Sequence, residues 1–110
     1  DSPLGGDMRW TGSGPLRVRM LAFVSLATSN PNQDLQVAFA VTPDGGSATV
    51  LPYRQEAATD GTTLRADNMA LMGWATLNTN DVVDLRVRNK ASTNAVTGLH
   101  GQVLVEQVGN

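Results

Sequence analysis

Residues 16–26 read LRVRMLAFVSL, and their side chains alternate in character with a period of two. The even positions are all apolar, whereas the odd positions begin with Arg17 and Arg19 and become apolar at Leu21 and Phe23. Successive side chains of a β-strand point to opposite faces of its sheet. The stretch therefore predicts a central β-strand that is in contact with other groups on both faces.

The same alternation recurs along the chain, with turn-forming residues between the alternating segments. The alternation is clear over residues 35–42, 80–89 and 97–108, and it is weaker over residues 47–53. Pro52 predicts an edge strand for the weaker segment, because proline cannot donate to a sheet ladder. Residues 64–77 fit either a helical turn or a strand, and Gly73 favours the strand. About six strands with turns at near-regular intervals indicate a sandwich or a barrel, and we predict an all-β, antiparallel β-sandwich.

The length of 110 residues allows one domain with one modest core. We expect residues 15–110 to form the sandwich. Residues 1–14, which are rich in glycine and poor in apolar side chains, are expected to form an N-terminal arm or linker. Because the chain starts at Asp1, we interpret it as a processed chain or as the ordered part of a longer one.

Composition argues against several classes of function. A net charge of −2 is unlike the basic balance of general nucleic-acid binders and of proteins that bind anionic membranes. No segment has the run of about 20 apolar residues that a membrane-spanning helix needs. The absence of cysteine excludes disulfides, thiolate zinc sites and thiol nucleophiles. We expect neither a nucleic-acid nor a membrane partner.

The titratable residues suggest no catalytic, metal or cofactor site, and we expect a protein that is not an enzyme. His100 is the single histidine, and no nucleophile with a carboxylate is spaced to join it. Asp81 and Asp84 are three residues apart, so on a strand they point to opposite faces and form no acid–base pair. We expect Asp81 to hydrogen-bond its own turn. A small β-sandwich hydrolase remains a third hypothesis.

Two arginine doublets are candidates for contact with an anion or a partner. They are Arg17 with Arg19 and Arg86 with Arg88, and each doublet lies on one face of its strand. If the two strands are neighbours, four guanidinium groups cluster and could bind phosphate, sialic acid or an acidic protein patch. The alternative is that the arginines form ion pairs with Asp84, Glu106 or Asp34.

Apolar residues on otherwise polar strand faces predict an oligomer interface, and they are Leu21, Phe23 and Leu104. Trp10 and Trp74 could stack on sugars, but packing in the core or an interface is the better interpretation in a chain with 5% aromatic residues.

Four motifs in chain order resemble a known family. Residues 8–12 read MRWTG, residues 40–46 read AVTPDGG, residues 77–89 read LNTNDVVDLRVRN, and residues 101–108 form a final apolar strand. Over residues 8–108 the chain resembles the jelly-roll domains of tailed-bacteriophage virion proteins, which are similar in architecture to tumour necrosis factor and complement C1q heads. Asn80 stands where relatives commonly have glycine, and asparagine tolerates the left-handed conformation.

The resemblance implies a jelly roll that assembles as a homotrimer on the surface of a virion and catalyses nothing. A capsid decoration (cement) or head-fibre protein of this kind binds the major capsid protein or another virion protein. The alternative is a tail-fibre tip or a carbohydrate- or receptor-binding module. In that case residues 53–60 and 91–95 are expected to form loops that contact a ligand such as a host surface glycan.

Overall fold

The computed structural model describes residues 2–28, 30, 32–59, 65–91 and 96–108. Within these ranges the chain forms seven strands and no helix. The strands are β1 (Ser2–Arg9), β2 (Leu16–Thr28), β3 (Asp34–Thr42), β4 (Thr49–Ala58), β5 (Arg65–Leu77), β6 (Val82–Asn89) and β7 (Val96–Gln107). Residues 64–77 were open to two interpretations, and the strand β5 is the one that the structure contains.

The strands form two antiparallel sheets that pack face to face. One sheet has the order β1-β6-β3-β4 and the other the order β5-β2-β7. β2 is the central strand of its sheet, as the alternation in residues 16–26 predicts. The all-β antiparallel sandwich is thus confirmed. The jelly-roll topology is not confirmed, because a jelly roll has eight strands and the described residues form four strands in one sheet and three in the other.

The core lies between the sheets and is built from the alternate positions that the sequence marks as apolar. Phe39, Met20, Leu26 and Leu35 are among its fully buried side chains. The even positions of β2 from Val18 to Leu26 all belong to the buried core, and Leu16 packs against it. Aliphatic side chains and methionine fill most of this volume, so packing rather than aromatic stacking stabilises the domain.

The N-terminal segment corrects one expectation. Residues 1–14 were expected to form an arm or linker, yet residues 2–9 are strand β1 and pair antiparallel with β6. Backbone hydrogen bonds along a sheet edge need no apolar side chains, so the composition of the segment did not reveal the strand. The register shifts between Pro3 and Asp7, where the chain contains two glycines.

The sandwich is closed along one side and open along the other. On the closed side β4 packs beside β5, and the ring of Tyr53 lies over Gly73. On the other side β6 packs against β7, so that β1 extends beyond the opposite sheet. On this side Met8 and Val103 lie on the inner faces of their sheets, opposite the core residues Val83 and Ala22, yet both side chains remain exposed. The open side therefore leaves part of the inner surface accessible.

The turn before β6 is organised by Asp81, which is buried. Its Oδ2 accepts a hydrogen bond from the backbone N–H of Asn78 at 2.8 Å, and its Oδ1 accepts one from the N–H of Asp44 at 3.3 Å. The backbone N–H of Trp10 donates to the Asp81 carbonyl at 3.0 Å. The predicted bond of Asp81 to its own turn is confirmed, and Asn80 adopts the left-handed φ of 70°.

Candidate functional site

The outer face of the β5-β2-β7 sheet carries a continuous group of apolar side chains. Leu21 lies directly opposite Met72 of β5 and Leu104 of β7, so these three residues form one row across the sheet. Phe23 lies on the same face of β2, two residues further along. Trp74 lies on the same face of β5, two residues from Met72. We refer to these five residues as the apolar face.

The side chains of the apolar face are exposed although they are large. The exposed fractions are 54% for Phe23, 52% for Leu104, 47% for Met72 and 45% for Trp74, and Leu21 is half-buried. Single exposed apolar residues are common on protein surfaces, but a contiguous set marks a contact surface. Each of the five side chains exposes up to about half of the area that a large side chain buries in a core. Together they expose about 350 Å² of apolar surface.

Charged residues border the apolar face at one end. The next row places Trp74, Arg19 and Glu106 side by side, and Arg19 Nε donates to Glu106 Oε1 at 2.8 Å. The following row contains Arg17 and Thr76, and the backbone N–H of Val108 donates to the Arg17 carbonyl. Arg17 is exposed and forms no ion pair with the residues that the structure describes.

A shallow cavity of about 200 Å³ lies at this bordered end. Its lining includes Arg17, Trp74, Thr76 and Val108. The ring of Trp74 makes an edge-to-face contact with Tyr53, with centroids 5.9 Å apart and planes at 66°. This contact fixes the orientation of the indole, so the cavity presents an aromatic surface beside a guanidinium group.

The outer face of the other sheet has the opposite character. Gln36 Nε2 donates to Glu56 Oε1 at 2.8 Å, and Lys90 Nζ donates to the same oxygen at 2.7 Å, while Arg54 donates to the Gln36 side-chain oxygen. The hydrogen bond from Lys90 and its positive charge lower the pKa of Glu56, and the same contact raises the pKa of Lys90. These side chains form a hydrogen-bonded polar group on the outer surface of this sheet, in contrast to the apolar face.

The arginine doublets do not form one cluster. Arg17 and Arg19 lie on the outer face of the β5-β2-β7 sheet, whereas Arg86 and Arg88 lie on the opposite side of the sandwich. The strands are not neighbours, so the condition for four clustered guanidinium groups is not met. Arg86 Nε is 2.9 Å from Asp84 Oδ2, and with the Arg19–Glu106 pair this matches the ion-pair alternative. Asp84 Oδ1 is buried and has no hydrogen-bond partner among the described residues.

The remaining candidates form no reactive centre within the described ranges. No three side chains of His, Cys, Asp or Glu in those ranges come close enough to hold a metal ion. His100 lies opposite Ser25 in the β2–β7 register, and its side chain is outside the described part of the structure. Residues 53–58 belong to strand β4, which corrects the expected loop at 53–60, and residues 60 and 92–95 lie outside the described residues.

The structure brings the three predicted interface residues onto one surface and adds Met72 and Trp74, of which only Trp74 had been expected to pack in the core or an interface. Leu21, Phe23 and Leu104 all belong to the apolar face. Met72 and Trp74 were missed as part of it because residues 69–74 are apolar at both parities, so alternation could not assign their faces. Trp10 instead packs against the core, with its Nε1 donating to the Gly14 carbonyl at 3.1 Å.

No model of a known protein family matches this chain, and no curated protein sequence matches it either. None of the described residues belongs to a helix that could cross a membrane.

Proposed function

We propose that this chain is a non-enzymatic structural protein of a bacteriophage particle, of the capsid decoration or head-fibre type, that works by association. The observation that carries the proposal is the apolar face formed by Leu21, Phe23, Met72, Trp74 and Leu104. The placement on a virion and the trimeric state come from the sequence resemblance.

The energetics of the apolar face favour association. At about 25 cal/mol per Å², covering about 350 Å² on one copy corresponds to about 9 kcal/mol of transfer free energy. The cost of joining two molecules is about 4–15 kcal/mol. The transfer free energy of the apolar face is therefore of the same order as that cost. The β1-β6-β3-β4 sheet offers no comparable gain, since Gln36, Glu56 and Lys90 on its outer face already form hydrogen bonds with one another.

The partners of the chain are second copies of itself and a virion protein such as the major capsid protein. The apolar face serves the contact between copies, with three copies as the state that the resemblance implies. Arg17 and Arg88 are exposed on the two outer faces for contact with an acidic protein surface, whereas Arg86 is engaged with Asp84. The N-terminal segment is not proposed as an arm that contacts a neighbouring subunit, because residues 2–9 pair with the chain's own β6.

The first experiment is the native mass of the purified chain by size-exclusion chromatography with light scattering. We expect a stable trimer-based assembly at micromolar concentration. Phe23→Asp is expected to dissociate it by placing a charge at an exposed apolar position, while the fold survives. Gln55→Asp is the matched control, since it adds the same charge at an exposed position of β4 in the other sheet.

A monomeric wild-type chain at micromolar concentration would overturn the self-association part of the proposal. The virion part is tested separately by mixing the tagged chain with particles of a candidate major capsid protein and sedimenting them. Co-sedimentation is the expected result, and a chain that stays in the supernatant with every capsid tested counts against a decoration role.

The cavity beside Trp74 favours one alternative, a carbohydrate- or receptor-binding module such as a tail-fibre tip. An indole surface next to the guanidinium of Arg17 is suited to an acidic sugar, because the ring stacks on the sugar face and arginine pairs with its carboxylate. A glycan array tests it. Binding that Trp74→Ala abolishes would place this alternative first, and no binding to any glycan would remove it.

A further inference from the structure

The outer face of the β1-β6-β3-β4 sheet brings together three arginine residues from two strands. Arg86 of β6 and Arg54 of β4 lie directly opposite Ala38 of β3, one on each side, so these residues form one row across the sheet. Arg88 lies two residues further along β6 and therefore on the same face as Arg86. We refer to Arg54, Arg86 and Arg88 as the arginine group. Arg54 is distant in the sequence, so the group arises only through the fold.

The small residue at the centre of this row allows the arginine side chains to approach one another. Ala38 is only 2% exposed, although it points away from the core cluster and belongs to the outer face. Longer neighbouring side chains therefore cover it, and Arg54 and Arg86 are its neighbours in the row. From the spacing of strands, the Cβ atoms of Arg54 and Arg86 are about 10 Å apart, and that of Arg88 is about 7 Å from that of Arg86. Three long side chains at these separations can converge on one point above Ala38.

The acidic groups around the arginine group do not neutralise it. Arg86 Nε is 2.9 Å from Asp84 Oδ2, and within the described residues its terminal nitrogens donate to no other group. Arg54 donates to the side-chain oxygen of Gln36, which is a neutral acceptor. Arg88 is exposed, and its side chain forms neither a hydrogen bond nor an ion pair with the part of the chain that the structure describes. Two of the three guanidinium groups therefore have no carboxylate partner there.

Glu56 is near the arginine group but is engaged elsewhere. The hydrogen bond and the charge of Lys90 lower the pKa of Glu56 more than the charge of Arg54 does. Glu56 in turn raises the pKa of Lys90, and the charge of Arg88 opposes that rise. Arg88 thus adds a second positive charge beside Lys90 without an acid of its own. A bound anion would relieve the repulsion between these cations.

The two sheet ladders beside the arginine group are irregular at the same level. The β3–β4 register shifts between Ala38 and Ala40, and these two residues lie opposite Arg86 and Asp84 of β6. The β1–β6 register shifts between the partners of the same two β6 residues. Bulges re-aim side chains and are frequent next to functional sites. The sheet therefore departs from regular pairing on both sides of the row that carries the arginines.

We propose that the arginine group binds a tetrahedral oxyanion of the phosphate type above Ala38. Arginine donates N–H groups in a planar fork that matches the oxygens of such an anion, and charge-assisted hydrogen bonds are about twice as strong as neutral ones. A tetrahedral anion presents oxygens in enough directions for three guanidinium groups, whereas a carboxylate has two oxygens. The anion is either a free ion or the phosphate group of a modified partner.

This site does not use the apolar face, and it shares only Arg88 with the partner contacts of the proposed function. For that residue it rests on the proposed function and names a different chemistry, a phosphate group instead of an acidic protein surface. Phosphate binding requires neither self-association nor a capsid. A monomeric wild type that binds phosphate would support this site alone, and an assembled chain that does not bind phosphate would support the proposed function alone.

Isothermal titration calorimetry with inorganic phosphate, at an ionic strength held constant with sodium chloride, tests the site. Arg88→Gln is expected to weaken binding about tenfold, because it removes a charged donor and breaks no contact between described residues. Arg17→Gln is the matched control, since Arg17 is also exposed, forms no ion pair with the described residues and lies on the opposite outer face. It should bind as the wild type does. A wild type without saturable binding, or equal weakening in both variants, overturns the proposal.

Two further titrants define the ligand. A phosphoserine peptide should bind at the same site and lose its affinity in Arg88→Gln. Tighter binding of this peptide than of inorganic phosphate assigns the anion to a modified partner, and equal binding assigns it to a free ion, so either result supports the site. Acetate should bind at least about tenfold more weakly than phosphate, since it offers fewer acceptor oxygens. Acetate that binds as tightly as phosphate overturns the proposal in favour of an acidic side chain of a protein partner.

Arginine side-chain NMR gives a second measurement that includes Arg86. Substitution of Arg86 is avoided, because the Asp84 side chain is 10% exposed and would lose its ion-pair partner. On addition of phosphate, the Nε–H signals of Arg54, Arg86 and Arg88 should shift together, while that of Arg17 stays in place. Equal shifts at all four arginines would indicate unspecific attraction and overturn the proposal, as would the absence of any shift.

Discussion

The ring of Tyr53 in β4 occupies the space that a side chain on Gly73 of β5 would need. A Cβ placed on Gly73 would lie 2.7 Å from Cδ2 of Tyr53. The two strands belong to different sheets, so this close approach closes one side of the sandwich. It also fixes the ring that makes the edge-to-face contact with Trp74, a residue of the apolar face.

Gly73→Ala is expected to destabilise the domain by about 1–3 kcal/mol, the range for adding a methyl group to a well-packed site. Urea unfolding followed by circular dichroism measures the change. Gly101→Ala is the matched control, because a Cβ at Gly101 meets no atom within 4 Å, and it is expected to be near neutral. Equal stability of Gly73→Ala and the wild type would show that β4 and β5 do not approach this closely.

Asp81→Ala is expected to lower the free energy of unfolding by about 2–3 kcal/mol, because it leaves two backbone N–H groups without their acceptor. These are the amides of Asn78 and Asp44, so the substitution loosens two turns at once. Asp81→Asn retains one carboxamide oxygen and should lose less. If both variants unfold at the wild-type urea concentration, the carboxylate is not organising these turns. Loss of a hydrolytic activity in either variant would instead revive the enzyme hypothesis.

The alternation of polar and apolar residues predicted strands β2, β3, β6 and β7, because one buried face imposes a period of two on the sequence. It did not show which face of β2 meets the core, since both faces are partly apolar. The same signal identified Leu21, Phe23 and Leu104 as surplus apolar residues, since they interrupt that period on the outward side. It was uninformative over residues 69–74, where both parities are apolar, and Met72 was therefore missed.

The order of strands within the sheets could not be predicted in this way. Periodicity within one strand carries no information about its neighbour, so the separation of Arg17 from Arg86 on opposite surfaces emerged only from the structure. Strand β1 was missed for a related reason. Its position depends on backbone pairing with β6, and the hydrogen bond from the Trp10 backbone N–H to the Asp81 carbonyl helps to place it.

The ion pair between Glu56 and Lys90 predicts a small dependence of stability on pH at both ends of the range. The pKa of Glu56 lies below its ordinary value of 4.5, so the contribution of the pair is present above that value and is lost as the pH falls through the lowered pKa. The pKa of Lys90 is raised, so the contribution is complete below the ordinary lysine pKa and is lost as the pH rises through the raised one.

Thermal unfolding of the wild type and Glu56→Gln between about pH 3 and about pH 6 tests the acid limb, which covers the ordinary range of glutamate titration. We expect a flatter pH dependence for Glu56→Gln, and the same flattening for Lys90→Met. Because both side chains are exposed, the difference should shrink at high salt. Parallel curves for the wild type and Glu56→Gln would mean that the pair does not contribute.

The fluorescence of Trp74 reports directly on whether the apolar face is covered. The chain has two tryptophans, so Trp10→Phe leaves Trp74 as the single emitter. That change removes the hydrogen bond to the Gly14 carbonyl, at a cost of about 1 kcal/mol that should leave the fold intact. Because the Trp74 side chain is nearly half exposed in one copy, iodide should quench it in dilute solution and progressively less as the concentration rises.

Adding Phe23→Asp to the Trp10→Phe variant supplies the control, since a chain that cannot associate through the apolar face should remain quenchable at every concentration. Constant quenching beside a rising native mass would therefore mean that the copies associate through a surface other than the apolar face.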